Sequence, residues 1–384
     1  MKRIQFFLEQ LIDLGVSLWV EDGRLKFKAP SGVMSEKIKV EISNNKVDII
    51  DYLIANKSSN TDSYFDNAIQ PLTNKKNCPM SYAQWRLWFL SQLDQENAVY
   101  NISFARRLSG HLDISILSLC INEIIKRHDV LRTTFKDEDN SPVQMVSTSF
   151  DAGLIEENVE KIFLNETKKI SEKILQEKLE EESNWNFDLG KGPIFRAKLF
   201  KLSEQEHILS FTMHHMVSDG WSLGILAREL SELYTAYVQG EESPLDDLPI
   251  QYSDYSHWQR EWLRGEVLEK QIGYWREQLS GLTPLLELPT DRPRPLIQTY
   301  NGATKRFEIP SLLLDKLRDI THDSNSTLFM SLLGVFKVLL WRYSGQEDIA
   351  VGTPIANRNR PELEGLIGFF VTFGSVLAKT SNQE

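Results

Sequence analysis

The spacing of apolar positions divides the chain into stretches with different periods. Ile4, Phe7, Leu8, Leu11 and Leu14 recur at helical spacing, and Gly15 stands where that helix would end. Two alternating runs follow, Ser17 to Glu21 and Arg24 to Lys28, joined by Asp22-Gly23, a residue pair favoured in tight hairpin turns. Helical patterning resumes from Glu36 to Ile54. Residues 1–57 therefore predict helix, hairpin and helices, an αββαα unit. So short a segment buries little surface, and a partner or a second copy (a homodimer) would add stability.

Residues 58–77 are rich in Asn, Ser, Asp, Thr and Lys, have no apolar period and predict a tether. Beyond them the period switches repeatedly. Helices are expected over Ser81 to Leu93, from an Asp113 cap to His128, over Asn165 to Ser183 and over Leu223 to Tyr237. Strands are expected at Tyr100 to Leu108, Leu131 to Phe135, Phe195 to Phe200 and Ile208 to Met213. From Pro249 come helices over Gln251 to Arg264 and Gly265 to Leu279, whose Trp258, Trp262 and Trp275 read as core. A proline-rich extended loop follows at Leu288 to Pro295. Then come a strand at Thr304 to Ile309, helices at Leu312 to His322 and Thr327 to Tyr343, and a strand at Asp348 to Pro354. Interleaved helices and strands predict an α/β fold in packed layers, with lobes over 78–248 and 249–384.

One junction carries candidate chemistry. The strand ending at Met213 runs into His214-His215-Met216-Val217-Ser218-Asp219-Gly220-Trp221-Ser222. Neighbouring side chains on a strand face opposite ways, so only one imidazole can enter a given cavity. His215 is expected to face the reaction and His214 to be structural. Asp219 reads as a buried carboxylate that fixes the loop and needs an arginine. Gly220 would let the backbone approach a substrate closely and offer its N–H. A bare His-His pair is ordinarily a satisfied core pair. A metal site would need converging rings, and no third His or Cys lies at ligand spacing. The longer string, in a chain with seven histidines, favours function. Arg86, Arg127 and Arg132 read as structural ion-pair residues.

Net charge is −11, which disfavours a nucleic-acid partner. Two cysteines, Cys78 and Cys120, make no disulfide framework and suit a reducing cytosol. Glu9 and Asp13 interrupt any signal-peptide core, and the apolar run from Leu328 to Trp341 carries Lys337 and is short for a bilayer. The expectation is a cytoplasmic chain with no membrane partner.

Five ordered strings then point to one family. The His-His-x-x-x-Asp-Gly stretch resembles the active-site motif of nonribosomal peptide synthetase condensation domains, of the chloramphenicol-acetyltransferase-like superfamily. Ser81 to Leu90, Arg127 to Phe135, Tyr252 to Trp258 and Ile367 to Thr372 resemble that family's flanking motifs in order. The resemblance implies a two-lobed α/β sandwich with a tunnel between the lobes. It also implies amide formation without a covalent enzyme intermediate: the amine of a carrier-bound aminoacyl thioester attacks a carrier-bound donor acyl thioester. No cofactor binds the domain directly; the substrates hang on phosphopantetheine arms of donor and acceptor carrier proteins. His215 is the candidate base or orienting group, with His214 and Asp219 holding the loop and Gly220 a candidate oxyanion donor. Arg342 and Arg358 are both candidates to pair with Asp219. The His-His pair disfavours the cyclisation subtype and the order Trp221-Ser222 the epimerisation subtype. Ala83 to Phe89 resembles subtypes joining an L-donor to an L-acceptor.

Residues 1–57 resemble N-terminal docking domains of the tubulysin-synthetase type, notably Leu14 to Trp19 and Glu21 to Pro30. That implies capture of the acidic C-terminal tail of an upstream synthase subunit, with Arg24, Lys26 and Lys28 on one face of the second strand to meet its carboxylates. Thr372 and Phe373 depart from the family pattern and its last motifs do not follow, so the second lobe is expected to be incomplete. A catalytically inert interaction module is the competing function class.

Overall fold

The computed structural model describes residues 11, 16–21, 24–28, 36–50, 68–93, 98–138, 141–148, 153–165, 167–296, 299, 302–324 and 326–379. The chain forms two compact units, Met1–Ile69 and Gln70–Glu384.

In the first unit, β1 (Ser17–Glu21) and β2 (Arg24–Lys28) pair antiparallel in the register the sequence expects, with Ser17 opposite Lys28, Trp19 opposite Lys26 and Glu21 opposite Arg24. A helix α1 (Glu36–Asn44) follows, and Leu11, Val16, Ile42 and Ile49 are buried. The expected first helix, Leu11 apart, and the Asp22-Gly23 turn lie outside the described residues.

The second unit begins with ordered chain. The Leu72 N–H donates to Asp254 Oδ1 at 2.9 Å and Lys75 pairs with Asp129 at 3.0 Å, so the end of the stretch expected to be a tether is fixed to the unit that follows. Then come β3 (Cys78–Pro79), α2 (Tyr82–Leu93), β4 (Asn101–Ser109) and α3 (Ile114–Arg127). Asp113 caps α3 as expected, accepting from the Ile116 N–H at 3.0 Å. After a 3₁₀ turn at Asp129–Arg132 come β5 (Thr133–Glu138), β6 (Ser141–Val146), β7 (Ile155–Asn158), α4 (Glu160–Asn165) and α5 (Lys168–Ser183). The strands β8 (Phe195–Ser203) and β9 (Glu206–His214) then lead into α6 (Gly220–Val238).

The larger sheet has the order β4-β9-β8-β7, antiparallel except for the parallel pair β7 and β8. A smaller sheet runs β3-β6-β5. As an inner strand, β9 is buried from His207 to His214 on both faces, which explains why apolar residues stand on each, Ile208 on one and Leu209, Phe211 and Met213 on the other. Ile208 packs with Val159, Leu175, Phe200 and Leu202 on the α4 and α5 side. Phe211 stacks on Phe104 at 5.3 Å and tilts against Phe195 at 5.8 Å on the other.

The remaining elements are α7 (Tyr252–Trp262), α8 (Glu266–Gln278), α9 (Ser311–Asp323), α10 (Leu328–Ser344), β10 (Asp348–Ile355), α11 (Pro361–Glu364) and β11 (Thr372–Lys379). β10 and β11 pair antiparallel. Two expectations are corrected here. Thr304 to Ile309 is not a strand: it is exposed and has no hydrogen-bonded partner strand among the described residues, and a short extended segment without a neighbour has nothing to hold it. None of the three tryptophans is fully buried: Trp258 and Trp262 are half-buried on α7, and Trp275 lies at 37% exposure on α8, a helix with no buried residue. Among the described residues no single helix is long and apolar enough to cross a membrane.

Candidate functional site

The end of β9 delivers two imidazoles in opposite directions. His214 is the last strand residue and is 5% exposed. Its Nδ1 accepts from the Met216 N–H at 3.2 Å, and its ring meets Tyr100 edge-on. A ring nitrogen that accepts carries no proton, so neutral His214 holds its hydrogen on Nε2. Burial, with the neighbouring His215 ring, pushes its pKa down to about 4.

His215 lies one residue beyond the strand, in the turn, and extends the pairing because its N–H donates to Tyr100 O at 2.7 Å. The ring is half-buried and tilted against Phe369 with centroids 4.5 Å apart. Its Nδ1 lies 2.8 Å from Ser218 O. A carbonyl can only accept, so in the neutral ring Nδ1 carries the proton and Nε2 the lone pair. The two rings do not converge, which is the divergence expected from strand geometry.

Asp219 caps α6 and is fully buried. Its Oδ1 accepts from the Ser222 N–H at 2.9 Å, the Ser222 hydroxyl at 2.7 Å and Arg358 Nη2 at 3.2 Å; its Oδ2 accepts from the Phe370 N–H at 3.2 Å. Of the two arginines left open by the sequence, Arg358 is the partner, whereas Arg342 lies exposed on α10. Arg358 also donates through Nη1 to Leu363 O at 2.5 Å and Leu366 O at 2.6 Å, and its guanidinium lies 4.1 Å from the Phe370 ring centroid. Burial pushes its pKa down and Asp219 pulls it back up. Every donor on Asp219 comes from the scaffold, and none comes from His215.

Gly220 opens α6, exposed, and a Cβ there would meet nothing within 4 Å. No neighbour inside the chain demands glycine at this point. Gly368 is the opposite case. A Cβ at Gly368 would sit 2.1 Å from Tyr252 Cδ2, and its N–H and C=O both meet Ser222 Oγ, at 3.1 and 3.0 Å.

Other side chains complete the frame. The Tyr252 hydroxyl donates to Phe369 O at 2.5 Å and lies 2.9 Å from Ser81 Oγ. Gln84 Nε2 donates to Met216 O at 3.0 Å. The five separated sequence strings thus meet around one loop. Arg127 pairs with Glu229 at 3.2 Å, and Arg132 with Asp129, in keeping with structural roles. Sequence reading missed Ser222, Tyr252 and Gly368 as linking groups: they stand inside or beside the quoted strings, but the contacts that make them matter span more than a hundred residues. In the first unit Lys26 is exposed on β2.

A layered α/β fold with a His-His-x-x-x-Asp-Gly turn, clamped by a buried arginine, defines a condensation domain. The chain belongs to that family, whose model matches residues 74–384. A TubC N-terminal docking domain model matches residues 4–54. One of the linear gramicidin synthase proteins of Brevibacillus parabrevis is 46% identical over 303 residues, which is 79% of this chain and 4% of that protein. Chondramide synthase cmdD of Chondromyces crocatus is 40% identical over 302 residues, 79% of this chain and 8% of that protein. The chain therefore spans a small part of the curated relatives it matches. Among solved structures, the X-domain from teicoplanin biosynthesis superposes with a TM-score of 0.71 at 26% identity, covering 82% of this chain and 68% of that one. A condensation-domain structure from the enacyloxin polyketide synthase gives 0.62 at 22% identity, over 97% of this chain and 71% of that one, and speaks to fold alone.

The clamp and the buried ring can each be tested. Arg358→Ala leaves the Asp219 carboxylate buried without its cation, and chemical denaturation is expected to show a loss of about 3–5 kcal/mol. A loss below about 1 kcal/mol would refute the clamp. His214 has a folded pKa of about 4 against an ordinary 6.5. Its contribution is therefore complete above pH 6.5 and is lost as pH falls to about 4, at most about 3 kcal/mol. The fall in unfolding free energy from pH 7 to pH 4 should be shallower in His214→Gln than in wild type.

Proposed function

We propose that this chain is the docking and condensation portion of a nonribosomal peptide synthetase. It forms an amide between a donor acyl or peptidyl thioester and an acceptor aminoacyl thioester, each on the phosphopantetheine arm of a carrier protein. The observation that carries this reading is the His215 tautomer. With Nδ1–H committed to Ser218 O, Nε2 is an acceptor on a half-buried ring beside an exposed helix N-terminus. Such an atom can take a proton from the attacking ammonium or hold the amine toward a thioester carbonyl.

His215 is the catalytic residue in this reading. A backbone carbonyl orients it, in the place a carboxylate holds in a catalytic triad, because Asp219 is fully used by Ser222, Phe370 and Arg358. His214 and Asp219 are positioning residues. The Gly220 N–H, at the exposed first position of α6, would meet a developing oxyanion. The donor and acceptor are both L-configured in this proposal, on the likeness of Ala83 to Phe89 to that subtype. The site works in the cytoplasm.

The first unit supplies recruitment. Period-2 placement puts Arg24, Lys26 and Lys28 on one face of β2, whose pairing among the described residues is with β1 alone. An acidic tail of an upstream synthase would add as a strand along that edge and meet the three cations. An inert interaction module is the competing reading, favoured by one observation: the similar X-domain has been solved in complex with OxyB, so this fold can serve binding.

Product analysis separates them. Mass spectrometry of the dipeptidyl carrier should show product with wild type and a loss of about 10²–10⁴-fold in rate with His215→Ala; no product from wild type supports the inert module. For recruitment, a synthetic acidic peptide titrated against the full chain should bind more weakly to Lys26→Glu and Lys28→Glu, and more weakly in high salt. Unchanged affinity would remove the charge argument.

A further inference from the structure

A third histidine, far from the reacting turn in sequence, is built into the wall behind it. His128 ends α3 and is 1% exposed. Its Nε2 lies 2.9 Å from Oε2 of Glu229, itself 1% exposed on α6. Its Nδ1 lies 3.3 Å from the Ile367 N–H. Both ring nitrogens are thus occupied, and by groups of opposite kind. A backbone N–H can only donate, so Nδ1 must be unprotonated; Nε2 then carries the hydrogen and donates to the carboxylate. The tautomer is fixed by its neighbours, and it is the reverse of that in His215.

What hangs from Ile367 gives the arrangement its consequence. The next three residues make the contacts that define the reacting turn. Gly368 meets Ser222 Oγ, the Phe369 ring packs on His215, and the Phe370 N–H donates to Asp219. Glu229 is held from its other oxygen by Arg127 at 3.2 Å, and Gln251 Nε2 donates to Arg127 O at 2.9 Å. The chain of contacts runs from α3 and α6 through one imidazole to the start of the segment that backs His215. Burial also pushes the His128 pKa down, in keeping with a neutral ring.

We propose that His128 and Glu229 form a buried positioning pair. The neutral imidazole, with its hydrogen on Nε2, anchors the Ile367 N–H and so sets the Ile367–Phe370 segment against His215 and Asp219. Neither residue touches substrate. A second proton on His128 would face its Nδ1–H against the Ile367 N–H, two donors with no acceptor between them, and would release the segment. The proposal rests on His215 as the reacting imidazole, and its test uses no turnover, so the two readings fail separately.

The experiment is long-range ¹H–¹⁵N NMR of the histidine rings together with amide hydrogen exchange, on the full chain. Wild type should show His128 protonated at Nε2 and His215 at Nδ1. His128→Leu should speed exchange at the Ile367 and Phe370 amides by about tenfold or more and shift the His215 ring resonances. His128→Asn, whose side-chain oxygen can stand where Nδ1 stood, should restore much of the protection. Glu229→Gln, which still offers an oxygen to Nε2–H, should keep the tautomer. A His128 ring protonated at Nδ1 overturns the proposal. So does a folded His128→Leu chain with unchanged exchange and unchanged His215 signals. If His128→Leu does not fold, the wild-type tautomer and the exchange in His128→Asn decide.

Discussion

The ion pair between Asp219 and Arg358 is the contact on which the rest of the site depends. Side chains at 0 and 1% exposure hold opposite charges 3.2 Å apart, 139 residues apart in sequence. Removing two charges from water costs several kcal/mol each, and their attraction rarely returns more than that, so the pair is poor evidence for stability. It is good evidence for geometry. A buried carboxylate whose donors are two backbone N–H groups, a hydroxyl and a guanidinium has few other places to go, and those donors come from three separate residues, Ser222, Arg358 and Phe370.

That constraint explains why residues so far apart in sequence converge. Arg358 ties Asp219 to the carbonyls of Leu363 and Leu366, Ser222 holds both polar groups of Gly368, and Tyr252 bridges Ser81 to Phe369. Close approach at Gly368 leaves no room for a side chain against the Tyr252 ring. The turn between β9 and α6 is held from several sides, by Ser222 on α6 and Tyr252 on α7 and by Arg358 and the Gly368–Phe370 backbone from irregular chain. Buried hydrogen bonds from several directions can fix such a turn without a regular element around it.

Much of this was legible in the sequence, for physical reasons that differ by element. β9 announces itself by apolar residues on both faces because it is an inner strand buried on both sides, and α3 by the spacing of Leu117, Ile121, Ile124 and Ile125 beneath an Asp113 cap. The divergence of His214 and His215 follows from strand alternation, carried one residue past β9 by the hydrogen bond from the His215 N–H to Tyr100 O. The choice of Arg358 over Arg342 does not, because it depends on a long-range contact that leaves no local period. The same holds for Glu229, which on an otherwise amphipathic helix reads as a solvated charge until His128 and Arg127 are seen against it. Thr304 to Ile309 errs in the other direction: alternation is a local signal, and a strand needs a neighbour that local pattern does not supply.

The three histidines show how one side chain serves three tasks through its second nitrogen. In His214 a backbone N–H claims Nδ1 and burial keeps the ring neutral, so it braces the turn. In His215 a carbonyl claims Nδ1, which in the neutral ring leaves the lone pair on Nε2 of a half-buried side chain. In His128 both nitrogens are claimed by the scaffold. What sets the tautomer of each ring here is which neighbour reaches it first. That neighbour is set by the backbone of the turn, and the turn is set by the buried pair at Asp219.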